Sequence, residues 1–255
     1  MSKFIILLLL VTSFNLNAAL FSDFLDLPTD EKKWPIRVAQ IDFESFLHKQ
    51  ETDIANMFGH HTIVNFNNDK YTRYKFYVEI FEMFDLTYSY NKMKVSYEQT
   101  GSFSLASNDF HFRDQHYGIG FNIFNVRAEF GMGTYNSYTF LETDTTRYYF
   151  FPMEDDYYYG LLEIKVPTKL WVDITLRFTA KTYKSSETAT YELEKANSRE
   201  WYASITGGLN WLKIGPYVAY GYETSKFKHK FFGLNNEMAN KQHYQKYGVV
   251  FQFYP

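Results

Sequence analysis

Alternation of apolar and polar residues is the feature that most constrains how this chain can fold. From Val126 to Gly133, Val, Ala, Phe and Met alternate with Arg, Glu and Gly, and Leu170 to Phe178 repeats the pattern. Successive side chains of a strand point to opposite faces, so a period of two puts an apolar and a polar face on each segment. The chain is therefore predicted to be all-β.

The connections between these segments alternate between short and long. Short ones lie at 124–125, 167–169 and 210–213, and long polar ones lie at 101–115, 134–156, 181–199 and 223–243. Short turns on one side and long loops on the other are typical of barrels in outer membranes. Inside lipid every backbone N–H and C=O must be paired, and only a closed sheet has no unpaired edge. The pattern predicts a transmembrane antiparallel β-barrel.

The first residues have the form of an export signal. Lys3 precedes the apolar run FIILLLLV, and small residues follow at Ala18 and Ala19. The run is less than half of the roughly 20 apolar residues that a membrane-spanning helix needs. Residues 1–18 are therefore predicted to be a cleaved signal peptide.

Composition favours a membrane wall over a soluble core. Aromatic residues make up 21% of the chain, although the mean hydropathy is −0.38. A soluble core does not easily bury so many rings, whereas a lipid-facing wall with aromatic girdles uses them. The chain has no Cys, so an exported barrel of this kind would have no disulfide.

Counting back from the C-terminus predicts about ten strands, with eight as the alternative. Eight segments lie at 85–100, 116–124, 126–134, 157–166, 169–180, 200–210, 213–223 and 244–254. Two more are predicted at 71–81 and around Thr62, Val64 and Phe66, separated by the turn-forming Asn67-Asn68-Asp69. An even count keeps both chain ends on the short-turn side. Residues 60–255 are assigned to the barrel.

Upstream of residue 60 the apolar period changes to that of a helix. Six apolar residues share one face of a helix that would end near Gly59, namely Phe43, Phe46, Leu47, Ile54, Met57 and Phe58. Residues 19–59 are therefore predicted to form an N-terminal segment with a short amphipathic helix. Such a helix would plug the barrel or lie at the membrane interface, or pack on the barrel mouth, and the sequence leaves these alternatives open.

The chain ends with KYGVVFQFYP, in which Lys246, Gly248, Phe251 and Phe253 stand out. This segment resembles the C-terminal insertion signal of bacterial outer-membrane β-barrel proteins: a polar residue, then glycine, then two alternating hydrophobic residues. The resemblance implies a Gram-negative outer membrane, contact with its lipid, and recognition by the barrel-assembly machinery. Such chains usually end on the aromatic residue, whereas this one continues with Tyr254-Pro255.

If the apolar faces meet lipid, the polar faces line the lumen. A charge network is predicted on consecutive strands, formed by Arg127, Glu129, Glu163, Lys165, Asp173 and Arg177. Opposite charges on neighbouring strands can pair across the ladder, and ten strands are fewer than the roughly 16–18 of porins with an aqueous channel. The lumen is therefore predicted to be occluded, and a porin-like charged conduit is the alternative.

Residues suited to acid–base chemistry cluster near the long-loop rim. Two groups stand out, Asp109, His111, Asp114 and His116 in one stretch and Asp155-Asp156 in another. The chain is similar to the ten-stranded outer-membrane protease family in strand count and in having acidic loop residues, but no motif of that family matches. No serine signature of the outer-membrane phospholipase kind and no HExxH zinc motif occurs. No catalytic residue, cofactor or metal ligand is assigned.

These features together favour a non-enzymatic outer-membrane barrel with a structural, surface-interaction or small-solute role. The alternative is an outer-membrane enzyme that hydrolyses lipid or peptide with the acids and histidines of the rim. The net charge of −3 does not indicate the basic surface that binding of nucleic acid needs. The sequence does not identify a surface ligand.

Overall fold

The computed structural model describes residues 36–56, 61–80, 83–99, 110–144, 147–168, 172–187, 191–231 and 234–255. These residues form strands joined by turns and short irregular segments. Across these ranges, no helix is long and apolar enough to cross a membrane. The predicted signal peptide, residues 1–18, lies outside the described residues and stays a prediction.

Eleven strands occur among the described residues, and none of these residues is helical. Their bounds are β1 Ile36–Asn56, β2 His61–Ile80, β3 Phe84–Gln99, β4 Phe110–Ile123, β5 Val126–Asp144, β6 Arg147–Pro167, β7 Val172–Tyr183, β8 Ser186–Glu187, β9 Tyr191–Leu209, β10 Leu212–Phe231 and β11 Leu234–Phe253.

The long strands form one closed antiparallel sheet. Each pairs with its neighbours in order, and β1 also pairs with β11, which joins the first strand to the last. The two-residue β8 pairs with the outer end of β9, so ten strands make up the wall. The predicted ten-stranded barrel is confirmed.

The predicted N-terminal helix is wrong. Phe43, Phe46, Leu47 and Ile54 lie in strand β1, and Met57 and Phe58 lie outside the described residues. β1 is hydrogen-bonded to β11 on one edge and to β2 on the other. Pairing on both edges outweighs the helical spacing of these apolar residues. The barrel therefore includes residues 36–56 and does not begin at residue 60.

Two predicted strands, near residue 64 and at 71–81, are one strand. β2 runs from His61 to Ile80, and its register against β3 shifts between Asn67 and Tyr71. The turn-forming residues thus produce an irregularity within a strand instead of a turn. The count of ten was right because this double count offset the missed β1.

The side of the barrel opposite the short turns is built of strands where long loops were predicted. β5 continues to Asp144 before β6 begins at Arg147, and β10 continues to Phe231 before β11 begins at Leu234. Only about 9–11 residues of a tilted strand are needed to cross a bilayer. Strands of 19–21 residues therefore project beyond it. The turns at 124–125 and 210–211 are short, as predicted.

A belt of exposed apolar side chains surrounds the half of the barrel next to the short turns. Ile119 is 61% exposed, Phe130 71%, Ile205 53% and Val218 58%. Large apolar side chains this exposed on every side of a closed barrel need lipid around them. The belt therefore marks the membrane-spanning part of the wall.

The predicted insertion signal lies at the seam where β11 meets β1. Phe251 faces Phe43 with ring centroids 5.8 Å apart, and Phe253 is opposite Ile41. Lys246 points into the lumen and is buried. A Cβ on Gly248 would collide with the Ser45 carbonyl oxygen, so only glycine permits this approach of the two strands. Recognition of the segment by the assembly machinery stays a prediction.

The belt predicts how a charge on the outer wall will act. Ile205→Arg should reduce the free energy of unfolding in lipid by about 2–4 kcal/mol, because it places a cation near the bilayer midplane. Urea unfolding in lipid vesicles measures the change, with Ile205→Leu as the matched control. Equal stability of the two variants would show that Ile205 does not face lipid.

Candidate functional site

The inward faces of the strands carry charged side chains that are almost completely buried. Those with exposed fractions of 8% or less are Asp42, Glu44, Lys75, Asp85, Arg127, Glu129, Asp155, Glu163, Arg177 and Lys246. A buried charge is costly unless it is paired and hydrogen-bonded. The lumen can therefore hold these buried charges only if each one has a partner of opposite charge or a hydrogen-bond partner.

One cluster is organised around the carboxylate of Glu129. Lys75 Nζ lies 3.1 Å from Oε2, and Arg127 pairs with the same oxygen. Thr87 donates a 2.9 Å hydrogen bond to Oε1, to which Tyr159 also donates. The four donors come from β2, β3, β5 and β6, so this carboxylate ties together strands that are not adjacent.

Arg127 extends the cluster toward the short turns. Its Nε and Nη2 donate to the two oxygens of Asp85 on β3 at 2.8 and 2.6 Å. Asn122 donates to the same carboxylate at 2.8 Å. Two parallel N–H···O bonds to a carboxylate give the fixed geometry that favours arginine over lysine.

Other charged contacts cross the lumen. Arg177 on β7 donates to Glu163 on adjacent β6 at 2.9 Å and lies 3.8 Å from Glu44 on β1, four steps away in the order β7–β9–β10–β11–β1. Arg73 on β2 lies 3.2 Å from Glu44 and 3.9 Å from Glu200 on β9. Opposite parts of the wall therefore meet through charged side chains.

One hydrogen bond joins two strands on opposite sides of the barrel. Lys165 Nζ on β6 donates to Gln40 Oε1 on β1 at 3.0 Å, and β6 and β1 are five steps apart in either direction round the ten-stranded wall. Gln40 in turn donates to Asp42 at 2.6 Å, and Tyr77 donates to the same carboxylate at 3.1 Å. This row of side chains spans the lumen.

The six residues of the predicted charge network are not all in one place. Arg127 contacts Glu129, and Glu163 contacts Arg177, while Lys165 lies 3.9 Å from Glu163. Asp173 is separate and pairs with Lys213 on β10. The predicted residues therefore fall into two charged clusters, one around Glu129 and one formed by Glu163, Arg177 and Lys165, with Asp173 outside both.

Sequence reasoning missed partners on β1. Asp42 and Glu44 were assigned to the N-terminal segment with the helix, yet they alternate with Ile41 and Phe43 in the manner of a strand. That alternation was the available signal. Asp85 and Glu200 lay in predicted strands, but nothing local to them indicated the arginines that they meet across the lumen.

From the outer part of the membrane belt outward, the lumen holds a small chamber of about 80 Å³ that is lined mostly by polar residues. Asp114 and His116 on β4 line it, together with Lys181 on β7. Lys181 Nζ donates to Asp114 Oδ2 at 2.6 Å, and Tyr157 donates to Oδ1. His116 Nδ1 is 3.2 Å from the Tyr157 hydroxyl and 3.9 Å from Asp114. Asp114 thus has both oxygens engaged.

An aromatic cluster borders this chamber. The ring of Tyr183 lies 5.5 Å from that of Tyr157 and 6.1 Å from that of Tyr135, and Leu193 and Phe227 are buried in the same cluster. Such tilted pairs add to the stabilisation that burial gives. The outer half of the barrel therefore has an apolar core inside its wall.

Three acidic groups beyond the belt have shifted pKa values. Burial would raise the pKa of Asp114, but Lys181 and His116 hold it well below its usual value. Burial raises the pKa of Asp155 to about 6, against a 2.8 Å hydrogen bond from Ser186. Burial likewise raises the pKa of Glu223 to about 7, against the attraction of Lys181.

The other predicted rim residues do not converge on Asp114 and His116. Asp109 lies outside the described residues, and His111 lies in β4 without a described side chain. Asp155 bonds to Ser186, and Asp156 is on the outer face beside Lys184 at 3.4 Å. In the described part of the chain, no group of His, Asp or Glu side chains is arranged to hold a metal ion.

The raised pKa of Glu223 predicts a pH dependence of stability. The pKa of the Glu223 carboxyl is 4.5 in the unfolded chain and about 7 in the folded one. Ionisation of Glu223 therefore lowers the free energy of unfolding as the pH rises between these two values. Glu223→Gln should therefore raise the unfolding temperature above pH 7 and have a smaller effect below pH 4.5. Thermal unfolding across this range tests it, with the exposed Glu154→Gln as control. The same shift for both variants would contradict the assignment.

Comparison with known proteins gives a structural likeness only. No protein-family model matches the chain, and no curated protein matches it either. The outer membrane protease OmpT from Escherichia coli superposes with a TM-score of 0.50 at 8% identity, over 89% of this chain and 100% of that one. An outer membrane channel from Pseudomonas putida gives 0.44 at 11% identity, over 86% and 98% of the two chains.

The translocator domain of the autotransporter NalP from Neisseria meningitidis gives a TM-score of 0.40 at 11% identity, over 94% of this chain and 97% of that one. At such identities the likeness to OmpT shows the fold alone. The closed ten-stranded wall and its exposed apolar belt agree with that fold. The chain therefore has the fold of an outer-membrane β-barrel, like that of OmpT.

Proposed function

We propose that this barrel is closed to solutes and acts through the part that projects beyond the membrane, in a surface-interaction role. The observation that carries the proposal is the set of polar contacts across the lumen. Lys165 reaches Gln40 on the opposite wall at 3.0 Å, and Arg177 and Arg73 both reach Glu44. A conducting pore needs a continuous aqueous path, and these contacts lie across it.

The cavities of the lumen support closure. A vestibule of about 440 Å³ opens on the short-turn side and is lined by Arg127, Glu163 and Lys165. The chamber of about 80 Å³ lies on the other side of the charged clusters. Glu129 and Glu163, which are 0% and 1% exposed, lie between these spaces. This arrangement supports a lumen that the charged clusters divide.

The projecting wall supports a role at the surface. Strands of 19–21 residues exceed the membrane-spanning length by about ten residues, which corresponds to a rise of roughly 20–25 Å at about 45° tilt. The aromatic cluster of Tyr157, Tyr183 and Phe227 packs inside this part of the wall. In outer-membrane barrels the side opposite the short turns faces outward, so the projection would present a stiff surface to the cell exterior.

A hydrolase is the alternative function, and the pair of Asp114 and His116 is the observation in its favour. Against it, Lys181 and Tyr157 engage both oxygens of Asp114. General acid–base chemistry needs groups within hydrogen-bonding reach of a substrate in a cleft, and a chamber of about 80 Å³ is small for one. The geometry favours surface interaction.

Single-channel recording tests closure. The unmodified protein should show no steady conductance in planar bilayers, whereas replacing Arg73 and Arg177 by Ala should open a small conductance, because these side chains cross the lumen. The matched control is Arg199→Ala, since Arg199 is exposed on the outer wall.

A large steady conductance of the unmodified protein would contradict the proposal and favour a channel. Hydrolysis of peptide or lipid by the unmodified protein, lost in both Asp114→Asn and His116→Ala while the barrel stays folded, would favour the enzyme instead.

A further inference from the structure

The outer wall has a depression of about 580 Å³ where β7, β9, β10 and β11 adjoin. One cross-strand row runs through it, from Leu176 to Ala203, Val218 and Tyr247. Ala203 is smaller than its neighbours in the row, so the wall is thinner there. The depression lies within the apolar belt and is lined almost entirely by apolar atoms, so it suits a hydrocarbon chain.

An aromatic ledge lies along the edge of this depression that is farther from the short turns. The Trp201 ring is 5.3 Å from Phe178 and 6.3 Å from Tyr220. The Tyr220 hydroxyl lies 2.8 Å from His243 Nδ1. Trp and Tyr with polar tips are enriched at the level of lipid headgroups. The ledge therefore marks the boundary between acyl chains and headgroups on this face.

Four exposed cations lie beyond the ledge on β9, β10 and β11, farther from the short turns. They are Lys195 and Arg199 on β9, Lys226 on β10 and Lys241 on β11. No ion pair joins any of the four to another side chain of the described residues. With strands about 4.8 Å apart and about 6.6 Å between every second residue, these cations share a patch of roughly 10 by 13 Å.

The pairing of β9 with β10 brings like charges together in this cationic patch, which destabilises the sheet unless an anion is bound. Lys195 and Lys226 are directly opposite each other in the β9–β10 ladder, and like charges in this position destabilise a sheet. The acid nearest in sequence, Glu194, pairs with Lys228 farther from the membrane. A bound anion would offset the repulsion between the two lysines.

We propose that this face binds a phosphorylated lipid of the outer leaflet that carries several acyl chains. An acyl chain fills the depression around Ala203, the sugar or glycerol lies along the ledge, and the phosphate contacts Lys195, Lys226 and Lys241. Apolar and cationic surfaces thus adjoin in the order that such an amphiphile requires. The binding does not depend on whether the lumen conducts.

The opposite face of the barrel provides a matched control. Lys92 on β3 is opposite Arg113 on β4, and both are exposed. Beneath them the rings of Tyr88 and Tyr117 pack 5.1 Å apart within the apolar belt. This face also has a pair of cations farther from the short turns than its aromatic pair, but large rings stand where the other face has Ala203.

Native mass spectrometry of the delipidated full-length barrel in detergent tests the proposal, with lipid A as the probe. Lipid A is a phosphorylated disaccharide with several acyl chains, and it can be compared with its monophosphorylated form and with phosphatidylcholine. Replacing Lys195, Lys226 and Lys241 together by Gln should weaken binding by roughly a hundredfold, at about fivefold for each cation near an anionic lipid. Ala203→Leu, which fills the depression, should weaken binding of both forms of lipid A.

The double variant Lys92→Gln with Arg113→Gln should bind lipid A as the unmodified protein does, and the monophosphorylated form should bind more weakly than the diphosphorylated one. Heat-dependent electrophoretic mobility would verify that each variant is folded. Equal losses in the triple and double variants, or equal binding of phosphatidylcholine, would overturn the proposal. So would a stable protein dimer that excludes lipid and is lost in Ala203→Leu.

Discussion

The pairing of buried charges inside the wall is the interaction on which the rest of this structure depends. Closing ten strands satisfies the backbone in lipid, but it also removes many side chains of the inner face from bulk water. Glu129, at 0% exposed, is tolerable because Lys75 and Arg127 pair with it and Thr87 donates to it. Removal of one such partner would leave an uncompensated charge.

These pairs link non-adjacent strands and so occupy space inside the lumen. They therefore bear on which parts of the barrel can interact with other molecules. In the proposed function the lumen contributes stability, and interactions with the surroundings are left to the outer wall and the projecting part. The outer wall contains the depression at Ala203 with Lys195 and Lys226 beyond it. The projecting part encloses the small chamber beside Asp114 and the aromatic cluster with Tyr183.

The sequence predicted the strands best where lipid imposes a period of two, as in Val126–Met132 of β5. Beyond the bilayer both faces of a strand can be polar, so 134–144 and 223–231 were interpreted as loops although backbone pairing continues there. β1 was missed because Phe43, Phe46 and Leu47 also fit a helical period. The sequence pattern predicted that charged residues such as Arg177 face inward. It could not predict their partners across the lumen, because closing the sheet brings those partners together and no local pattern encodes that.

The coupling free energy between Arg177 and Glu44 tests the account most directly, because the two side chains are four strands apart and meet only if the lumen is filled. It is obtained from a double-mutant cycle with Arg177→Met and Glu44→Gln, using urea unfolding in lipid vesicles. The account predicts a coupling of about 1–3 kcal/mol, in the range found for residues of one ion-pair network. Additive effects of the two substitutions would show that these side chains do not interact, and would contradict a lumen closed by charged contacts across it.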